Sequence, residues 1–236
     1  GWNATSAGKM SQDCSGSPPN RVDCGMDMIL LSISGVLAAA YGVWYSPRGS
    51  SWPKTAIKTT SVALLALVAW LYGGSFLLAA GLIFGALGDF WLSRDGDRAF
   101  LIGLVSFALG HLAYIGLLWQ FGAVAQMSVW AIAIGLLACG MALVLWPRAG
   151  DLRGPVLGYV AIIAVMGVLA VGLPSLWWIG TIAALCFVVS DAILACELFV
   201  LPKGAAIRPV TSRMVWITYF AAQAMFLAAF GGQMPL

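Results

Sequence analysis

Eight stretches of this chain are long and apolar, with short polar segments between them. Their edges fall near Met28–Tyr45, Thr55–Tyr72, Phe76–Leu92, Arg98–Trp119, Met127–Trp146, Pro155–Val171, Leu176–Val200 and Ser212–Phe230. A helix that crosses a bilayer needs about 20 mostly apolar residues, so each stretch is read as a transmembrane helix. The expected fold is all-α, a polytopic membrane bundle of eight transmembrane helices.

The polar segments add an orientation. Lys and Arg number 12, and two of them, Lys9 and Arg21, precede the first run. Arg48, Lys54 and Lys58 follow the first run, Arg94 and Arg98 the third, Arg148 and Arg153 the fifth, and Lys203, Arg208 and Arg213 the seventh. The connections after the second, fourth and sixth runs carry none. Basic residues collect in cytoplasmic loops, so this alternation supports eight spans with both termini outside. The expected location is a bacterial inner or plasma membrane.

Composition narrows the class further. The chain is 61% hydrophobic and 9% charged, against about 45–50% and 25% for soluble domains, which excludes a soluble fold. The net charge of +3 reflects loop bias, so no nucleic-acid surface is expected. One membrane domain, 28–231, takes nearly everything, with a short end at 232–236. Residues 1–27 are read as a polar tail: Gly1–Gly25 is rich in Ser, Gly, Pro and Asn, cannot form a core, and is too polar for a signal peptide. It is treated as disordered and partly expression-derived. Within it Asn3-Ala4-Thr5 has the form of a glycosylation acceptor, and Cys14 and Cys24 either pair or stay free. Cys139, Cys186 and Cys196 lie in apolar runs at no metal-ligand spacing and read as packing residues.

Against this background a few ionisable residues stand out. Asp89 closes the run from Leu77 to Gly88, Asp191 lies inside the seventh run, and the only histidine, His111, lies inside the fourth. An ionisable side chain costs about 2.5–3.5 kcal/mol at a membrane helix centre on insertion scales, so it is rare there without a task. At 1.5 Å per residue Asp191 is roughly 13 Å from Leu201, His111 is near mid-membrane, and Asp89 is one turn from the charged segment 94–98. Tyr219 and Gln223, four residues apart, share a face of the last helix. A funnel open to the cytoplasmic half would collect them all. Gly88-Asp89-Phe90-Trp91-Leu92 and Ser190-Asp191-Ala192-Ile193-Leu194 also share a small–Asp–x–x–Leu pattern, which suggests a 4+4 parallel repeat.

Each residue has a plainer reading beside the functional one. Gly81, Gly85 and Gly88 form a packing stripe, and Asp89 can pair with Arg94 or Arg98 at the interface. Asp191 can be a structural hydrogen-bond node, and His111, between Phe107 and Tyr114, a packed core residue. Glu197, which shares a face with Ser190, can pair with Lys203, and Lys58 can snorkel to the surface. A single histidine argues against a histidine metal site, and neither a serine-hydrolase elbow nor a Walker loop is present. Two carboxylates in unlike surroundings suit acid–base chemistry, because burial favours the neutral acid and a second charge separates the pair. The same arrangement suits a proton-coupled transporter, and the residues alone leave both open.

At these positions the sequence resembles the YhhN-type lysoplasmalogenases, a family of integral membrane enzymes. The likeness rests on 81–89 ending in Gly88-Asp89, on 100–114 with His111-Leu112-Ala113-Tyr114, on 187–195 with Ser190-Asp191, and on Tyr219-Phe220-Ala221-Ala222-Gln223. Lys58 resembles the family's second-helix lysine, although the usual Lys-Pro reads Lys58-Thr59. The resemblance implies hydrolysis of the vinyl-ether bond of a lysoplasmalogen to a fatty aldehyde and a glycerophospho-base. It implies Asp89 and Asp191 as acid and base in either order, with His111 as proton relay or water holder. Lys58, Tyr114, Ser190, Tyr219 and Gln223 would bind substrate, with Arg94 or Arg98 as further phosphate partners. No metal or organic cofactor is implied, and the partners are a lysophospholipid substrate and membrane lipid. A hydrolase of another lysolipid on the same fold, or a transporter or lipid-binding protein, is the alternative.

Overall fold

The computed structural model describes the backbone of residues 20–46, 49–71, 74–125 and 127–232, and side chains from residue 26 onward within those limits. The Asn3-Ala4-Thr5 acceptor and the Cys14–Cys24 pairing rest on residues or side chains outside this range.

Eight α-helices make up the described chain: α1 Asn20–Ala40, α2 Trp52–Leu71, α3 Phe76–Leu92, α4 Asp97–Gln120, α5 Val129–Leu145, α6 Arg153–Ala170, α7 Trp178–Phe199 and α8 Arg208–Phe230. They follow the eight apolar runs, with shifts at the edges. The largest shift is at the start, where α1 begins at Asn20 and the end of the polar tail is already helical. A five-residue π turn, Tyr41–Tyr45, extends α1. Six of the eight are long and apolar enough to cross a membrane; α3 and α5 are apolar helices of 17 residues, about 25 Å long at 1.5 Å per residue and so at the short limit. Local chemistry sets the ends. Ser75 caps α3 by accepting the Leu77 N–H at 3.3 Å, and Ser128 caps α5 by accepting the Ala131 N–H at 3.1 Å.

Neighbours in sequence pack together, α1 on α2, α2 on α3 and α3 on α4, then α5 on α6, α6 on α7 and α7 on α8. The ring closes where α8 meets α2 and α3, and where α4 packs against α6. Helix α5 stands outside that ring, against α6 and touching α7. Asp89 is on α3 and Asp191 on α7, the third helix of each half of the chain.

The surface carries the membrane signature. Exposed tryptophans mark helix ends: Trp70, Trp119, Trp130 and Trp178 at one end of the bundle, Trp44, Trp52 and Trp146 at the other. Two such belts are what the amphipathic indole produces at the two lipid–water interfaces. Cys139 is exposed on α5, so the packing role expected for it does not hold. The main core gathers Leu78, Leu82, Leu117, Leu118, Phe187 and Phe226, and a smaller one holds Leu145, Ala149 and Val156 between α5 and α6.

Candidate functional site

The site begins with a missing set of side chains. Gly81, Gly85 and Gly88 lie on the face of α3 that meets α4 and α8. A Cβ at Gly81 would run into the Tyr114 ring, one at Gly85 into the Gln223 amide, and one at Gly88 into the Phe107 ring at 2.7 Å. The stripe therefore lets α4 and α8 approach α3 closely enough for their polar side chains to reach its carboxylate.

That carboxylate, Asp89, is wholly buried. Its Oδ1 lies 2.8 Å from Lys58 Nζ on α2, and its Oδ2 accepts the Tyr219 hydroxyl hydrogen at 2.8 Å. The network continues along α8 and across to α4: Gln223 donates to Tyr219 at 3.2 Å and accepts from the Tyr114 hydroxyl. Lys58 thus does not snorkel. Its side chain is 15% exposed, and the ammonium lies 5.8–5.9 Å from the ring centroids of Tyr41, Trp216 and Tyr219. Rings at that distance attract a cation through their quadrupoles. Tyr41 opens the π turn, an irregularity often found at functional sites, and packs on Trp216 at 4.3 Å.

The interfacial pairing of Asp89 with an arginine does not form. Arg94 turns to α2, bonding the Thr55 hydroxyl and the Ser51 carbonyl, and lies 4.1 Å over the Trp52 ring. It fastens the start of α2 to the end of α3. Glu197 accepts from Ser212 at 2.6 Å and Thr211 at 3.0 Å, which ties α7 to α8.

A second polar group lies across the bundle. Asp191 Oδ2 is 3.2 Å from His111 Nε2, and the same nitrogen is 3.2 Å from the Tyr159 hydroxyl on α6. His111 is buried, and its Nδ1 has no hydrogen-bond partner. The Asp191 side chain is 12% exposed. Phe187 and Phe107 stand between the two groups, with Phe187 edge-on to His111 at 5.1 Å and Phe107 edge-on to Tyr219 at 5.7 Å.

Both carboxylates nonetheless open onto one pocket. Lys58, Asp89, Ser190, Asp191, Ser212 and Tyr219 contribute its polar lining, together with Tyr41. Ser190 lies at the wall, with its hydroxyl donated to the Val215 carbonyl at 3.0 Å. His111 reaches the pocket through Asp191. Tyr114 and Gln223 do not line it; they stand behind Tyr219 and fix its hydroxyl. On the far side of Asp191 a separate apolar cavity begins, and Tyr159 and Asp191 are the only polar side chains in its lining.

Sequence reasoning missed Tyr159, Tyr41 and Trp216. For Tyr159 a signal existed: its hydroxyl lies inside the apolar run Pro155–Val171, the same anomaly that flagged His111. Tyr41 sits at the end of the first helix, where aromatic residues are ordinary, and Trp216, two turns inside α8, carries no charge to mark it. Among the described residues no three His, Cys, Asp or Glu side chains form a group that could hold a metal ion.

The chain as a whole is similar to known proteins. The YhhN family profile matches residues 53–230. A lysoplasmalogenase of Mycobacterium tuberculosis (strain CDC 1551 / Oshkosh) is 28% identical over 86% of this chain and 85% of its own length. The human lysoplasmalogenase TMEM86A is 29% identical over 77% of this chain and 79% of its own. An uncharacterized Escherichia coli O157:H7 membrane protein, YhhN, is 28% identical over 59% and 68%. No solved structure matches. The family profile runs from the start of α2 to the end of α8 and takes in every residue of both polar networks, and on that match the chain belongs to the YhhN family.

Proposed function

We propose that this chain is a membrane hydrolase of the lysoplasmalogenase type, cleaving the vinyl-ether bond of a single-chain glycerophospholipid. The observation that carries the reading is the place of Asp191, where a polar pocket holding Lys58 and Asp89 meets an apolar cavity. The scissile bond of such a lipid occupies the same kind of boundary, between a hydrocarbon chain and a polar glycerol. The curated relatives named as lysoplasmalogenases support the same reaction.

The chemistry assigns work to each group. A proton goes to the vinyl carbon beta to oxygen, which leaves an oxocarbenium ion. Water adds to that cation, loses a proton, and the hemiacetal collapses to an aldehyde and the free glycerol hydroxyl. Asp191 supplies the proton and regains one from the attacking water by way of His111. Tyr159 holds the imidazole in register. Asp89, kept as an anion by Lys58 and Tyr219, faces the developing cation, as a fixed charge does most when it needs no reorganisation. Two carboxyl groups divide labour in this way around the oxocarbenium-like state of glycosidases. Lys58 lies in the polar pocket and is the cation nearest a phosphate lodged there. The site opens to the side of the membrane that carries the basic loops, which is the cytoplasmic side, with both termini outside.

The test is aldehyde release from lysoplasmalogen by the purified protein in detergent, where no gradient exists. Wild type should release aldehyde and Asp191→Asn should release about 100-fold less or lower still, the contribution expected of a placed acid or base. No release from folded wild type, or full release from Asp191→Asn, defeats the proposal.

A further inference from the structure

The cavity beyond Asp191 lies between α4, α5, α6 and α7. We infer that it is the binding site for the single hydrocarbon chain of the lipid, entered sideways between α5 and α7, and that Ala195 and Met141 set the chain length it accepts. This rests on the proposed lipid hydrolysis.

Several observations converge on that occupant. The lining is hydrocarbon apart from Tyr159 and Asp191. The cavity adjoins the polar pocket, with Leu92, Phe107, Asp191 and Leu194 in the walls of both. A ligand that fills both must be apolar along one length and polar beyond it, with its junction at Asp191. Leu137 on α5 and Leu198 on α7 line the cavity and are also exposed on the outer surface. The cavity therefore reaches the lipid-facing side, at the seam where α5 stands outside the ring. A lipid already in the bilayer can slide its chain in there without crossing water. Such a chain gains little from leaving lipid tails for an equally apolar protein wall, so fit and not hydrophobicity selects it.

The far end is closed. Leu145 and Val156 are buried there, and Phe100 meets Phe199 edge-on at 6.2 Å. Phe199 is two helical turns beyond Asp191, about 12 Å along α7. Ala195 is halfway, one turn past the carboxylate and on the same face, and Met141 faces this part of the cavity from α5. A phenyl ring at 195 would block the channel a few methylenes past the reaction centre. Shortening Met141 would deepen it.

The experiment uses radiolabelled alkyl-ether lysophospholipids, from hexyl to octadecyl, which bind but carry no vinyl group to cleave. Binding to the purified full chain in detergent is read as the ratio of variant to wild type at each length, so micelle partitioning cancels. Ala195→Phe should hold hexyl binding near the wild-type value and weaken decyl binding at least about tenfold, as overfilling a packed space does. Met141→Ala should move the optimum to longer chains. An unchanged profile in both variants overturns the inference, and so does equal weakening at every length. If Ala195→Phe fails to fold, Met141→Ala on the outer helix decides alone. Aldehyde release measured in parallel separates the two ideas. A length shift without aldehyde from wild type keeps the chain site and removes the hydrolase, whereas aldehyde without any shift removes the chain site only.

Discussion

Lys58 Nζ lies 2.8 Å from Asp89 Oδ1, in a setting where the carboxylate is wholly buried and three aromatic rings surround the ammonium. Two charges taken out of water repay their desolvation only through each other and their remaining hydrogen bonds. Removing one partner should therefore do more harm than removing both. Lys58→Met is expected to destabilise the folded protein by about 3–5 kcal/mol, and Lys58→Met with Asp89→Leu by clearly less. Thermal unfolding of the three proteins in one detergent checks this. A double variant that is no more stable than the single one would show that the pair is not coupled.

The two carboxylates are expected to act as a unit. Asp89→Asn should lower aldehyde release to a similar degree as Asp191→Asn. The double variant should be little worse than either single one, because groups serving one transition state are not additive. Losses that multiply would place the two aspartates in independent roles.

Tyr159 gives a finer test. It holds His111 Nε2 at 3.2 Å and lines the apolar cavity with its ring. Tyr159→Phe keeps the ring and removes the hydroxyl. Turnover is expected to fall about tenfold, with lysophospholipid binding unchanged, as for an interaction used in the transition state and not the ground state. A rise in KM with unchanged kcat would make the hydroxyl a binding group instead.

Gly85→Ala tests the glycine stripe. The added methyl meets the Gln223 amide and lies 3.1 Å from the Tyr219 hydroxyl. Overpacking of this kind costs about 1–3 kcal/mol. Release of aldehyde should fall with the loss of the Tyr219–Asp89 bond. A variant with wild-type activity and stability would mean that α8 can retreat without consequence.

Orientation is open to cysteine labelling, in a chain whose own cysteines are changed to alanine. Met127→Cys, in the α4–α5 connection, should react with an impermeant reagent added outside intact cells. Asp151→Cys, in the α5–α6 connection, should react only after permeabilisation. The reverse pattern inverts the topology and the side on which the site opens.

The sequence by itself determined the helices and the anomalies in them. Hydropathy along a chain and the spacing of basic loops are one-dimensional signals, and bilayer thickness turns the first into eight spans without any knowledge of packing. The penalty on a charge in an apolar run is equally local, which is why Asp89, Asp191 and His111 were visible before any fold. Partner choice was not legible. Lys58 and Arg94 were both within plausible reach of Asp89, and the decision fell to the direction in which α2 presents Lys58 and to the Trp52, Thr55 and Ser51 groups that hold Arg94 elsewhere. Tyr159 entered the site because α4 packs on α6 and not on the next helix in sequence, an exchange of neighbours that no periodicity encodes. The same exchange leaves α5 outside the ring and opens the cavity that ends at Asp191. A helical repeat tells which residues share a face. Which face meets which depends on side-chain volumes summed over the whole bundle, here on three glycines that admit Tyr114, Gln223 and Phe107 to α3.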